Sequence, residues 1–416
     1  MGCDGGNARQ SVGAAAVTTL PDTAWRHRPG LAELIAALND TLGDTTRYVG
    51  GAVRDGLLGV PVSDIDMATR LLPEQVIERL NTAGIKAVPT GVAHGTITAV
   101  TAGGPVEITT LRRDVATDGR HATVAYTDDW QEDAARRDFT INALSADPLT
   151  GEVFDWFNGI DDLNAGIVRF IGEPLERIAE DHLRILRFFR FHARFGRGVP
   201  DAAAYDACAA RANDLMALSR ERIADELMKL LATANPVAAI RLMLDRDILK
   251  PVLPEITDSA LLARLVSREA EFAVDRDPVR RLAALIGPQP DIATGIAKRL
   301  RLSKAKAKRL ATACASVRAG SVAALAYRVG VESATDRLLI GDGRTEDFAA
   351  LATWQKPKLP ISGLALVERG IESGPDVSRT LAAIEEAWIV AGFPVGPAFD
   401  AIVTGELVSR GIRART

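Results

Sequence analysis

Apolar residues recur at helical spacing over Leu31, Leu34, Ile35, Leu38 and Leu42, which predicts an amphipathic helix across 31–42. The pattern then shortens. Residues 47–49 form a β-branched and aromatic run, a strand by composition, and Gly50 and Gly51 break it. Helical spacing returns over 52–58 until Gly59 and Pro61 stop it, and a second short strand carrying Asp64 and Asp66 is expected next. Pro73 opens another predicted helix running to residue 83, followed by strand-like runs at 85–88, 96–101 and 106–111. Residues 112–129 are polar and contain glycine, and they read as a long mobile loop. A short β/α connector occupies 151–171. Beyond it the apolar positions keep helical intervals almost to the end, with short Pro or Gly breaks and no repeat period.

This alternation predicts a small α/β head with a mostly antiparallel or mixed sheet, followed by an all-α region. The expected divisions are a disordered tail (1–22), the head (23–147), a neck (148–232) and a helical body and tail (233–416). The long βαβ repeats and G-x-G-x-x-G turn of a dinucleotide-binding fold are missing.

The 416 residues are 47% hydrophobic and 25% charged, enough for two or three domains with a large core. Net charge is only −4, so any nucleic-acid contact must use local patches rather than a global basic field. Cys3, Cys208 and Cys314 are far apart without C-x-x-C spacing, which argues against a zinc site or disulfide framework and suits the cytosol. The opening MGCDGGNARQ has neither the cationic nor the apolar part of a signal peptide, and position 6 is Gly where myristoylation wants Ser or Thr. No apolar run is long enough to cross a membrane.

Chemistry concentrates in RYVGGAVRDGLLGVPVSDIDMATR, residues 47–70. Aspartate is depleted in strands, and side chains two apart on a strand share a face, so Asp64 and Asp66 are expected side by side with like charges. Oxygen-preferring Mg²⁺ is the usual counterpart of such a pair; a polar loop with two solvated carboxylates is the plainer reading. The paired glycine upstream favours the metal. A strand–Gly50–Gly51–helix turn permits close backbone approach and aims N–H groups at an anion, with Arg54 one turn further on. An anion cradle beside a metal-binding pair describes a nucleoside triphosphate site. Glu107, in VEITTLR, is either a third carboxylate able to take a proton from an attacking hydroxyl or a half-exposed strand residue. His121 reads as a surface or phosphate contact.

Two further stretches carry charge in patterns. In DAARRDFTINAL (133–144), Arg136, Arg137 and Asp138 stand at the edge of an apolar run, where one arginine can clamp a phosphate or ribose. In IGEPLERIAEDHLRILRFFRFHARFG, read as one helix, Arg184, Arg187, Arg190, Arg194 and Arg197 form a cationic stripe beside an apolar face. Asp181 and Arg184, at i and i+3, are expected on one face, offering an acceptor and a donor to a base edge. Lys298 to Arg309, KRLRLSKAKAKR, is either an RNA-backbone contact or a solvated helix face. Ser219 is an N-cap candidate for the helix SRERIADELMKLL, where Arg222 at the capping-box position leaves the box incomplete.

GG-x-V-R-D followed by D-x-D resembles the head of polymerase-β-like nucleotidyltransferases, in the spacing of the class II CCA-adding enzymes and bacterial poly(A) polymerases. DAARRDFTINAL, EDHLR and SRERIADELMKLL are similar to further motifs of that group, so the resemblance spans roughly 45–231. It implies an enzyme transferring nucleotides from CTP and ATP to a tRNA 3′ end with Mg²⁺ held by Asp64 and Asp66. By the same resemblance Arg137 contacts the nucleotide, Asp181 and Arg184 read the base, and Arg187 and Arg190 support the triphosphate or the base readers. LRILRFFRF is nearer the CCA-adding wording than the poly(A) one. Poly(A) synthesis, CC-only or A-only addition, and a catalytically silent RNA-binding module remain as alternatives. With all five histidines before residue 200, the C-terminal half cannot carry a histidine–aspartate phosphohydrolase module.

Overall fold

The computed structural model describes residues 17–39, 44–91, 95–117, 122–316 and 320–410, with the side chains of 114–117 and 122–124 left out. Leu42 and His121 lie outside the described residues. The chain divides into two compact units, one ending at Asp214 and the other beginning at Leu215.

The first unit is built on a seven-stranded sheet. Its strands are β1 (Thr46–Val49), β2 (Asp66–Thr69), β3 (Lys86–Gly91), β4 (Thr96–Thr101), β5 (Gly104–Thr110), β8 (Ser145–Ala146) and β9 (Val153–Phe154), in the order β3-β4-β5-β2-β1-β8-β9. Only β2 and β5 run parallel, so the sheet is mixed. Helices α1 (Leu31–Leu38) and α3 (Pro73–Thr82) pack against β4, and the short α2 (Gly51–Leu57) follows β1 directly. Of the tail expected over 1–22, residues 1–16 lie outside the described residues, but 17–22 are fixed on the head. Leu20 is buried, its N–H donates to Gly151 O at 2.7 Å, and Thr19 bridges Glu152.

Three sequence expectations need correction. The loop expected over 112–129 contains an antiparallel hairpin, β6 (Arg112–Thr117) with β7 (Ala122–Tyr126), because the β-branched and aromatic ATVAY run pairs with the chain leaving β5. The strand expected to carry both aspartates begins only at Asp66; Asp64 stands in the exposed segment before it, bonded to Ser63 Oγ at 2.9 Å. The single helix expected over 171–196 is two, α6 (Pro174–Glu180) and α7 (Arg184–Phe195), after α4 (Trp130–Ala135) and α5 (Gly159–Ala165). The break is at Asp181, which is extended (φ −151°, ψ 106°). Its carboxylate accepts from Leu183 N at 3.1 Å, and this local side-chain bond competes with continued helix. Asp181 and Arg184 therefore do not share a helix face.

Helix α7 shows why the stripe of arginines is there. Ile185, Leu186, Phe188, Phe189, Phe191 and His192 are buried, and Phe188 and Phe191 join Phe139 and Phe170 in a ring cluster at centroid distances of 4.9 to 6.3 Å. The arginines occupy the opposite face. Helix α8 (Ala202–Ala210) closes the unit.

The regular elements among the described residues of the second unit are helices: α9 (Arg220–Leu231), α10 (Val237–Asp245), α11 (Ala260–Glu271), α12 (Pro278–Ile286), α13 (Pro290–Arg299), α14 (Lys304–Ala313), α15 (Val322–Val329), α16 (Val331–Ile340), α17 (Thr345–Ala352), α18 (Gly363–Glu368), α19 (Pro375–Val390) and α20 (Pro397–Ser409). Ser219 caps α9, accepting from Arg222 N. Trp388, Ile384, Leu366 and Val403 centre one apolar core near the C-terminus. A buried ion network joins α11, α12, α14 and α16: Arg280 and Arg281 share Glu269, while Arg280 and Arg309 share Asp336. The basic run 298–309 is not one free cationic face. Arg299 pairs with Glu255, Arg301 with Glu221, and Arg309 with Asp277 and Asp336, while Lys298, Lys304, Lys306 and Lys308 are exposed. No helix among the described residues is long and apolar enough to cross a membrane.

Candidate active site

The turn after β1 is set by glycine. Gly50 has φ +60°, which favours glycine, and a Cβ there would stand 3.0 Å from Arg137 Nη1. Gly51 opens α2 and brings Arg54 one turn in. The Arg54 guanidinium is buried (5% exposed) and bonded to Asp55 Oδ1 at 2.9 Å and to Asn142 Oδ1, with the Phe195 ring 4.3 Å below it. Its donors are spent largely on the protein, so Arg54 forms the wall of the site.

Asp66 and Glu107 are partners in the parallel β2–β5 register, and Glu107 is exposed. Burial pushes the Asp66 carboxyl up from its ordinary range, and the nearby charges of Glu107 and Asp64 push the same way against Arg137. Two further carboxylates thus act on Asp66 at the start of β2, in the middle of the sheet. Among the described residues no group of three or more His, Cys, Asp and Glu is arranged to hold a metal ion.

Arg136 and Arg137 both bind Asp133, at 2.8 and 3.1 Å. Burial pulls the Arg136 guanidinium down to about 10, against the charge of Asp133. Burial also opposes ionisation of Asp138, yet the Arg187 charge and the Asn142 amide outweigh it and hold the carboxyl below its usual range. Arg187 Nη2 lies 2.6 Å from Asp138. Arg184 donates to Arg177 O at 2.8 Å and to Glu180, and Arg177 donates to Arg136 O and Arg137 O at 2.6 and 2.7 Å.

These residues surround an open cavity of about 570 Å³ lined by Gly50, Gly51, Arg54, Asp66, Arg137, Asp181, Arg184 and Arg187. The same cavity is lined by Arg136 and Asp138, which the sequence offers beside Arg137 as a phosphate clamp and its orienting carboxylate, and by Arg112, Asn142 and Phe191, which the sequence does not assign to nucleotide binding. Asn142 could have been found as the amide inside the largely apolar FTINAL run. Arg112 carries no such signal. Of the expected site residues, Asp64 and Arg190 do not line the cavity; Asp64 acts on Asp66 by charge, and Arg190 sits over the Phe191 ring at 4.4 Å. Gly50→Ala is expected to raise KM for CTP and ATP about tenfold and to cost about 1–3 kcal/mol of stability, from the positive φ and the displaced Arg137. Unchanged KM in steady-state incorporation would contradict that placement.

The family model described as "Poly A polymerase head domain" matches residues 46–169, and one described as "Probable RNA and SrmB- binding site of polymerase A" matches 201–259. The chain is 36% identical over 383 residues to the Homo sapiens "CCA tRNA nucleotidyltransferase 1, mitochondrial", covering 87% of this chain and 86% of that protein. It is 31% identical over 389 residues to the "CCA-adding enzyme" of Latilactobacillus sakei, covering 88% and 96%. Among solved structures, the Bacillus stearothermophilus CCA-adding enzyme in complex with CTP superposes with a TM-score of 0.74 at 25% identity, covering 92% of this chain and 99% of that one.

Proposed function

The chain belongs to the family of CCA-adding tRNA nucleotidyltransferases, and we propose that it adds CMP and AMP to the tRNA 3′ end, from CTP and ATP, in the cavity beside Asp66. One observation carries the placement. Four separate segments deliver a glycine turn, the Asp66 carboxylate, a pair of arginines and the Asp181–Arg184 corner to a single cavity.

Asp64 and Asp66, with Glu107 alongside, would hold Mg²⁺; when bound, such ions supply charge for the attacking and leaving oxygens of an in-line displacement. Gly50 and Gly51 give the phosphates room to approach the backbone, and Arg137 is placed to hold them. Asp181 and Arg184 face the same space and offer an acceptor and a donor to the Watson–Crick edge of cytosine or adenine. Glu107 is the candidate to receive the proton of the primer 3′-hydroxyl. The exposed lysines 298, 304, 306 and 308 are the candidates for tRNA phosphate contacts in the second unit. Cys208 and Cys314 are buried free thiols, which suits work in the reducing cytosol.

The test is incubation with tRNA lacking CCA plus labelled CTP and ATP, with the products sized. Extension by three nucleotides is expected. Long A-tails from ATP alone on a generic RNA would identify a poly(A) polymerase instead.

A further inference from the structure

Six side chains of the first unit form one polar relay that leaves helix α7 and returns to it. Arg187 Nε donates to Asp138 Oδ2 at 2.8 Å, and Asp138 Oδ1 accepts from Asn142 Nδ2 at 2.9 Å. Asn142 Oδ1 accepts from Arg54 Nη1. Arg54 Nε donates to Asp55 Oδ1 at 2.9 Å, and Asp55 Oδ2 accepts from Arg194 Nη2 at 2.8 Å. Arg187 and Arg194 are seven residues apart, two helical turns, or about 10.5 Å along the axis. Helix α7 is therefore fastened to the head at two points, and Asn142 is the middle link.

The residue type at position 142 follows from its neighbours. A guanidinium only donates and an ionised carboxylate only accepts. The side chain between Arg54 and Asp138 must therefore accept on one side and donate on the other. A primary amide does both from one planar head, and the two neighbours fix which way it points. Leucine would leave a buried guanidinium and a buried carboxylate each short of a partner; aspartate would set two carboxylates against each other. Asn142 is itself buried (7% exposed). Its backbone oxygen accepts from Arg137 Nη1 at 3.4 Å and lies 3.6 Å from where a Cβ on Gly50 would be. One residue thus touches both halves of the cavity, the glycine–arginine half and the α7 half.

We propose that Asn142 is a positioning residue that couples the wall of the triphosphate subsite, formed by Arg54 with Gly50 and Arg137, to base selection by α7, through Asp138 and Arg187. The inference rests on reading the cavity as the nucleotide site. A base that fits poorly against α7 shifts Arg187, and Asp138 loses its charge partner. The Asn142 amide then turns, and Arg54, which lines the cavity with Gly50 and Arg137, loses its acceptor. A wrong base is in this way penalised in kcat as well as in affinity, because the phosphates are no longer held for reaction.

The experiment measures incorporation of CMP and of UMP on tRNA lacking CCA by the wild type, Asn142→Leu, Asn142→Asp, Arg187→Ala and the double variant Asn142→Leu/Arg187→Ala. Asn142→Leu is expected to lower kcat/KM for CTP by roughly 30-fold or more and to shrink the preference for CTP over UTP about tenfold. Asn142→Asp, which keeps the shape and the acceptor toward Arg54, is expected to lose the same preference with KM for CTP changed less than about threefold. The double variant should be no worse than about threefold below the poorer single one, since both cut the same relay. Thermal melting of each variant separates this from a merely structural role, which would lower the melting temperature and leave the CTP/UTP ratio unmoved. A ratio within about twofold of wild type in the folded Asn142→Asp protein, or fully multiplicative losses in the double variant, overturns the coupling. If Asp66→Ala is inactive in the same assay, the cavity assignment survives that failure. An active Asp66→Ala removes the reading on which the coupling depends.

Discussion

Replacing Asp66 by alanine is expected to abolish nucleotide incorporation, by at least about 10³-fold in kcat, while binding of tRNA is nearly unchanged. Asp66 is the only carboxylate of the D-x-D pair that lines the cavity, and it opens β2 where the parallel strand β5 brings Glu107 alongside. Its carboxyl is pushed up by burial and by two like charges, against the charge of Arg137. A divalent ion would relieve that crowding, and the substitution removes the cavity-lining member of the pair that would place the ion against the phosphates. Asp64→Ala should follow in the same direction, and Glu107→Gln should be milder if Glu107 only receives a proton. Rates are read from single-turnover extension and tRNA affinity from filter binding. Near-normal incorporation by Asp66→Ala would show that the Asp66 carboxylate is not the engine of the reaction.

Asp336→Ala is expected to destabilise the second unit by about 3–5 kcal/mol, the usual cost of stripping one partner from a buried ion network. Asp336 is fully buried, at 0% exposure, and accepts from Arg280 Nε and Arg309 Nε, each at 2.7 Å. Its removal leaves Arg280 with only Glu269 and the Asp275 carbonyl, inside a core that also holds Arg281 against the Leu231 and Thr233 carbonyls. Glu332→Ala is the control. It removes an exposed partner of Arg309, and a loss under about 1 kcal/mol is expected. Native-state hydrogen exchange of the amides in α12 and α16 reads the local stability directly. Equal exchange rates in the two variants would mean that the buried network does not hold these helices together.

Local patterns were legible in the sequence and distant pairings were not. The strand–glycine–helix turn at 50–51 is written in adjacent residues, and β4 falls at 96–101 as its alternation requires. The helix break at Asp181 was hidden because arginines and apolar residues keep the same period through α6 and α7, so periodicity alone runs straight across it. The available signal was the aspartate, whose side chain prefers to bond nearby backbone and so favours turns and helix starts over helix interiors. The ion pairs within the basic run at 298–309 were hidden for a different reason. Its arginines find Glu255, Glu221, Asp277 and Asp336, partners 27 to 80 residues away, and no local pattern announces such pairs. Asn142 lay inside a recognised motif, but its importance comes from Arg54, 88 residues upstream.

The most direct measurement is a crystal of the protein grown with Mn²⁺ and CTP, with the manganese located by anomalous scattering. Metal between the Asp64 and Asp66 carboxylates, ligated also by phosphate oxygens lying against the Gly50–Gly51 turn, is the expected result. Manganese bound elsewhere, or a triphosphate seated away from that turn, would contradict the account.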